Sequence, residues 1–139
     1  MFFNVSILSA QTLEDHIWEN RVVVLFSDDV KNEKVDQQLS EFHNQEESLA
    51  DRKLVIYTIQ GKTTYVFDAK SNMLESSKIK LDNQLINELK DASNFVIVLI
   101  GLDGGVKLKS EKVRSRKSIY DKIDGMPMRR SEITKKNKE

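Results

Sequence analysis

Residues 94–109, N-F-V-I-V-L-I-G-L-D-G-G-V-K-L-K, decide how this chain is read. Phe95, Val96, Ile97, Val98, Leu99 and Ile100 follow one another without a polar interruption, the pattern of a strand covered on both faces of its sheet. Gly101 breaks the run, and Asp103-Gly104-Gly105 supplies the positive-φ positions that a tight reversal needs. Val106-Lys107-Leu108-Lys109 then alternates apolar and charged residues, with both lysines on one side. Such a strand suits a sheet edge, where lysines oppose pairing with a second chain. A buried strand therefore turns back into an edge strand, and the rest of the chain must supply the layers around the pair.

Two further apolar runs qualify as buried strands: Val22-Val23-Val24-Leu25-Phe26 and Leu54-Val55-Ile56-Tyr57-Thr58-Ile59. Between them, from Val30 to about Ala50, Val35, Leu39, Phe42 and Leu49 form one stripe of a helix, with Ser27, Asp28 and Asp29 placed to cap it. Strand, helix and strand make a right-handed unit with parallel strands. Thr63-Thr64-Tyr65-Val66-Phe67 has strand propensity between two turns, which predicts a small added hairpin reaching about Lys80. Asp82 caps a predicted helix bearing Leu85, Ile86 and Leu89, and Thr12 a short one ahead of the first strand. Ser115 caps the last helix, which carries Ile119, Tyr120 and Ile123 and stops at Gly125 and Pro127. The resulting order is βαβ–α–ββα, an α/β domain with a mixed sheet flanked by helices, which is the thioredoxin-like core. Residues 1–128 are expected to form that single domain. Residues 1–10 read as an extended arm or a signal-peptide remnant, and residues 129–139 as a charged, frayed tail.

A chain of 139 residues with 39% hydrophobic and 32% charged residues fits one soluble globular domain. No apolar run approaches the roughly 20 residues that span a bilayer. There is no cysteine, so disulfides, thiolate metal sites and cysteine redox chemistry are excluded together. The net charge of zero conceals a split. Residues 1–106 carry 10 Lys+Arg and 17 Asp+Glu, a balance of −7, and residues 107–139 carry 12 and 5, a balance of +7. A block of this kind marks either a polyanion-binding segment or two parts that lie together and cancel.

Two long motifs carry a family resemblance. Residues 95–108, F-V-I-V-L-I-G-L-D-G-G-V-K-L, and residues 123–132, I-D-G-M-P-M-R-R-S-E, resemble the hairpin and closing motifs of the domain of unknown function 4174, also called the P-DUDES domain. Residues 22–29 are similar to its opening strand and acidic turn, so the likeness spans about residues 13–133. The resemblance implies a thioredoxin-like fold. It also implies a bacterial, periplasmic or secreted setting, since the family occurs behind signal peptides and, in animals, beside sushi repeats. A peroxiredoxin-like activity has been suggested for the family without assigned residues. The chain departs from the pattern at Leu102, where a lysine is expected, and in the added residues 63–80.

In thioredoxin-like enzymes the reactive cysteine lies just past the first buried strand, where the next helix's N-terminus lowers its pKa. Ser27, Asp28 and Asp29 occupy that position here. Serine offers no low-pKa thiolate and the aspartates oppose one, so the expectation is a pseudo-enzyme. Gly61-Lys62-Thr63-Thr64 lacks the glycine a phosphate loop needs at Ile56. His16 and His43 stand on separate elements, with no metal or cofactor site predicted. Met126 and Met128, on either side of Pro127, read as a lid on the core. Lys107, Lys109, Arg114, Arg116, Arg129 and Arg130 form the candidate anion patch, although nucleic acid wants interleaved aromatics and only Tyr120 is near. The sequence thus favours a non-enzymatic interaction module, ahead of a redox or hydrolytic enzyme with an unseen site and of a polyanion-binding module using the basic C-terminal third; the partner expected is a protein or an anionic polymer.

Overall fold

Apolar continuity translates directly into burial in the computed structural model, which describes residues 16–29, 31–61, 63–76 and 94–138. Strand β1 (Arg21–Ser27) and strand β5 (Phe95–Ile100) are buried at every position. Strand β2 (Leu54–Gln60) lies parallel to β1, and β5 lies antiparallel on its other side. β6 (Val106–Ser110) pairs with β5, while β3 (Thr63–Asp68) and β4 (Met73–Ser76) form a hairpin on β2. The six-stranded order is β4-β3-β2-β1-β5-β6. Its inner four strands, β2-β1-β5-β6, are the thioredoxin-like arrangement. Among the three buried runs and the lysine strand, only the latter is at an edge, because the hairpin covers β2.

Alternation divides the sheet into two faces. Val23, Leu25, Ile56, Ile97 and Leu99 pack with Val35, Leu39, Phe42, Leu49, Ile119 and Ile123 in one core. The helices α1 (Glu33–Ser40), α2 (Glu46–Asp51) and α3 (Arg116–Asp124) therefore share one side of the sheet. Val22, Val24, Phe26, Tyr57, Ile59, Val96, Val98 and Ile100 form the second core on the opposite face.

Three local expectations need correction. The single helix expected from Val30 to Ala50 is two short ones, because the turn between them holds Asn44 at φ 56°. The Asn44 amide there bonds the Ala69 carbonyl and Asn72 Oδ1, tying the turn to the β3–β4 hairpin. The cap of α1 is Asn32, whose Oδ1 accepts from the Lys34 amide at 2.9 Å, and not Ser27, Asp28 or Asp29. The expected frayed tail is instead helix α4 (Pro127–Lys138), opened by proline at its first position, where no amide is needed. Ser115 caps α3 as expected, accepting from the Ser118 amide at 3.1 Å. The helix read from Asp82 and the start of the one read from Thr12 lie outside the described residues; the described end of the latter is a turn, in which the His16 carbonyl accepts the Glu19 and Asn20 amides and Trp18 stands at φ 71°.

Candidate functional site

The sheet has two ends, and each gathers a different chemistry. β1 finishes at Ser27, beside Gln60 of β2 and Phe95 of β5. This is the corner where thioredoxin-like enzymes place their thiol. Ser27 is buried; its hydroxyl donates to the Asp29 carbonyl at 2.9 Å and accepts the Asp29 amide at 3.2 Å. The loop is closed upon itself, with Asp28 and Asp29 facing solvent. No histidine meets Ser27 among the described residues.

His16 instead joins a network that sequence reading missed. Its Nδ1 lies 3.0 Å from Asn20 Oδ1 and its Nε2 lies 2.8 Å from the Tyr57 hydroxyl. Since Asn20 presents an oxygen, Nδ1 carries the proton and Nε2 accepts from Tyr57. Burial raises the Tyr57 pKa, so the phenol stays protonated and donates. The four-residue spacing of His16 and Asn20 was a legible signal; Tyr57, 41 residues on from His16, was not.

At the opposite end, where β1 begins, Arg21 is 1% exposed and Arg129 is 4% exposed. Helical spacing puts Arg129, Glu132 and Lys136 on one face of α4. Arg129 reaches Asp51 Oδ2 at 2.7 Å, the Asp51 carbonyl at 2.8 Å and Asp124 Oδ1 at 3.0 Å. Glu132 takes both terminal nitrogens of Arg21, at 3.3 and 3.4 Å. Arg52 adds a bond to Asp124 at 2.9 Å and stacks its guanidinium 4.0 Å above the Tyr120 ring. These contacts bind α4 to the start of β1 and to the turn before β2.

The network also sets an acid sensitivity. The side-chain bond from Arg129, with one from Lys136, holds the Asp51 carboxyl below its usual range. Burial alone would raise Asp124, but the bonds from Arg52 and Arg129 outweigh it and the net shift is downward. A carboxyl depressed in the folded state contributes stability above its unfolded pKa, about 3.9, and loses it as pH falls through the folded value. Urea midpoints are therefore expected to fall steadily below about pH 4. Arg129→Met should flatten that limb, and parallel wild-type and variant profiles would show that the network does not set it.

The expected anion patch loses one of its members. Arg129 is inside the ion network and unavailable to a surface ligand. Lys109 pairs in register with Val98, whereas Lys107 is passed over by a bulge between the Leu99–Leu108 and Ile100–Val106 pairs. Lys107 Nζ meets Asp103 Oδ2 at 2.9 Å. The loop leading into α3 rests on α1: Gln38 exchanges two bonds with the Arg114 backbone, and Glu41 accepts from the Arg116 amide at 2.6 Å. The Arg114, Arg116 and Arg130 side chains are exposed, Arg116 close to an acidic neighbour.

The two resemblance-bearing motifs converge at this same end. Gly101, Leu102 and Asp103 of the hairpin turn, with Gly125, Met126, Pro127 and Met128 of the closing motif, line a pocket of 540 Å³. Arg21, Lys107, Asp121 and Lys122 complete it. The turn is fixed by Asp103 Oδ1, which accepts the Gly105 amide at 2.9 Å, and by Gly104 at φ 82°. A side chain at Gly101 would collide with Lys107, whose Cε would lie 2.7 Å from its Cβ. Leu102, where the resemblance led us to expect lysine, is buried and makes this wall apolar. Met126 packs on the core as expected, but Met128 is 45% exposed and faces the pocket. Among the described residues no cluster of metal-ligating side chains occurs, and no helix is long and apolar enough to cross a membrane.

The family model described as "Domain of unknown function (DUF4174)" matches residues 12–132. No curated protein matches the chain in sequence. Among solved structures, the fold is similar to the crystal structure of an exposed lipoprotein thioredoxin, Etrx1, from Streptococcus pneumoniae. The TM-score is 0.55 at 13% identity, covering 82% of this chain and 90% of that one. At that identity the likeness establishes the thioredoxin-like fold and nothing further.

Proposed function

The chain belongs to the DUF4174 family, and we propose that it is a non-enzymatic binding module that uses a thioredoxin-like frame without thiol chemistry. The observation that carries this reading is the redox corner itself. It holds a buried serine whose hydroxyl is engaged with the Asp29 backbone, in a chain with no cysteine. Disulfide exchange needs a thiolate, and neither Ser27 nor its aspartates can supply one. The 540 Å³ pocket at the other end of the sheet supports a binding role, since it lies within the size range of small-ligand sites. An extracytoplasmic setting fits this reading, as the structural neighbour is an exposed lipoprotein.

Purified protein is expected neither to consume hydrogen peroxide with a thiol reductant nor to reduce insulin disulfides above the buffer rate. Turnover that disappears on replacing Ser27, Asp28 or Asp29 would overturn the proposal.

A further inference from the structure

The pocket between the 101–105 turn and the 126–128 turn has an apolar body and, among the described residues, one charge without an ion partner. Leu102, Met126, Pro127 and Met128 supply the apolar surface, and the two methionines can adapt to an irregular ligand. Its ionic groups are mostly spent on one another. Asp103 holds Lys107 at 2.9 Å, Asp121 holds Lys117 at 2.6 Å, and Glu132 holds Arg21. Lys122 also lines the pocket and has no ion pair among the described residues. Arg21 also lines this wall, but it is 1% exposed and its Nε is sealed from the cavity, so the ligand-facing cation is Lys122.

From this charge complementarity we propose that the pocket binds a small amphiphilic carboxylate. Its apolar body lies on Leu102, Met126 and Met128, and its carboxylate faces Lys122. The proposal rests on the binding-module reading and names the ligand class of its pocket.

Trp18 makes the test direct. It is the sole tryptophan, it is 61% exposed at φ 71°, and its amide donates to the Leu102 carbonyl at 2.6 Å. A bulky residue held in the left-handed region is strained, so its setting should respond to movement of Leu102. The intact protein is titrated with sodium octanoate, with 1-octanol as the neutral body and acetate as the bodiless charge. Tryptophan emission and amide chemical shifts are followed together. Octanoate should bind saturably, with shifts at Leu102, Lys122 and Met126, about tenfold more tightly than octanol, as one charge-assisted contact allows. Acetate should not bind. Lys122→Gln, at an exposed helix position, should keep the circular dichroism of the wild type and bring octanoate to the level of octanol.

Equal affinity for octanoate and octanol would overturn the proposal. So would an unchanged octanoate affinity in Lys122→Gln, or no saturable binding at all. These results are separate from the redox assay: peroxide or disulfide turnover counts against the binding-module reading whatever octanoate does.

Discussion

Arg129→Ala will cost the domain about 3 kcal/mol, seen as a lower urea midpoint with loss of α4 helicity. Arg129 is 4% exposed and carries bonds to Asp51, Asp124 and a backbone carbonyl. Removing it leaves two carboxylates facing each other without their shared cation. Breaking a buried ion pair costs about 3–5 kcal/mol, and the lower end applies because both carboxylates are about one-third exposed. The paired variant Arg129→Met with Asp124→Asn should recover part of the loss, since it removes a charge along with its partner. A single-variant loss below about 1 kcal/mol would mean that the network behaves as an ordinary surface ion pair.

Leu99→Ala should cost about 2–5 kcal/mol for a different reason. Leu99 has no exposed surface and lies in the core beneath α3, paired across β6 with Leu108. Truncation loses the transfer energy of the missing carbons and leaves a cavity that a six-stranded sheet cannot easily close. The denaturant slope should stay constant while the midpoint falls. A loss below about 1 kcal/mol would show that β5 is not central to the domain.

The strands were legible because their signal is local. Uninterrupted apolar runs at β1, β2 and β5 and alternation at β6 need no knowledge of the rest of the chain. The α1–α2 break was less legible, because Asn44 turns the chain with help from Ala69 and Asn72, residues of a distant hairpin. α4 was misread for a related reason. Its residues are polar nearly throughout, so no apolar stripe announces a helix, and what anchors it is ionic. Arg129 looked like a surface cation because sequence shows charge but not the carboxylates of Asp51 and Asp124 that surround it. The pocket escaped notice for the same reason. Its two walls were each read correctly, one as turn chemistry and one as a methionine lid, but their meeting depends on the antiparallel return of β5 beside β1.

The bond from Arg21 to Glu132 spans 111 residues of sequence. A ribosome adding about 5–20 residues per second makes the first partner about 6–22 s before the second. During that interval β1, β2 and β5 can all be present while the guanidinium at the foot of β1 still lacks its carboxylate. The domain is thus latched by α4, a helix synthesised after the strand whose first residue it holds.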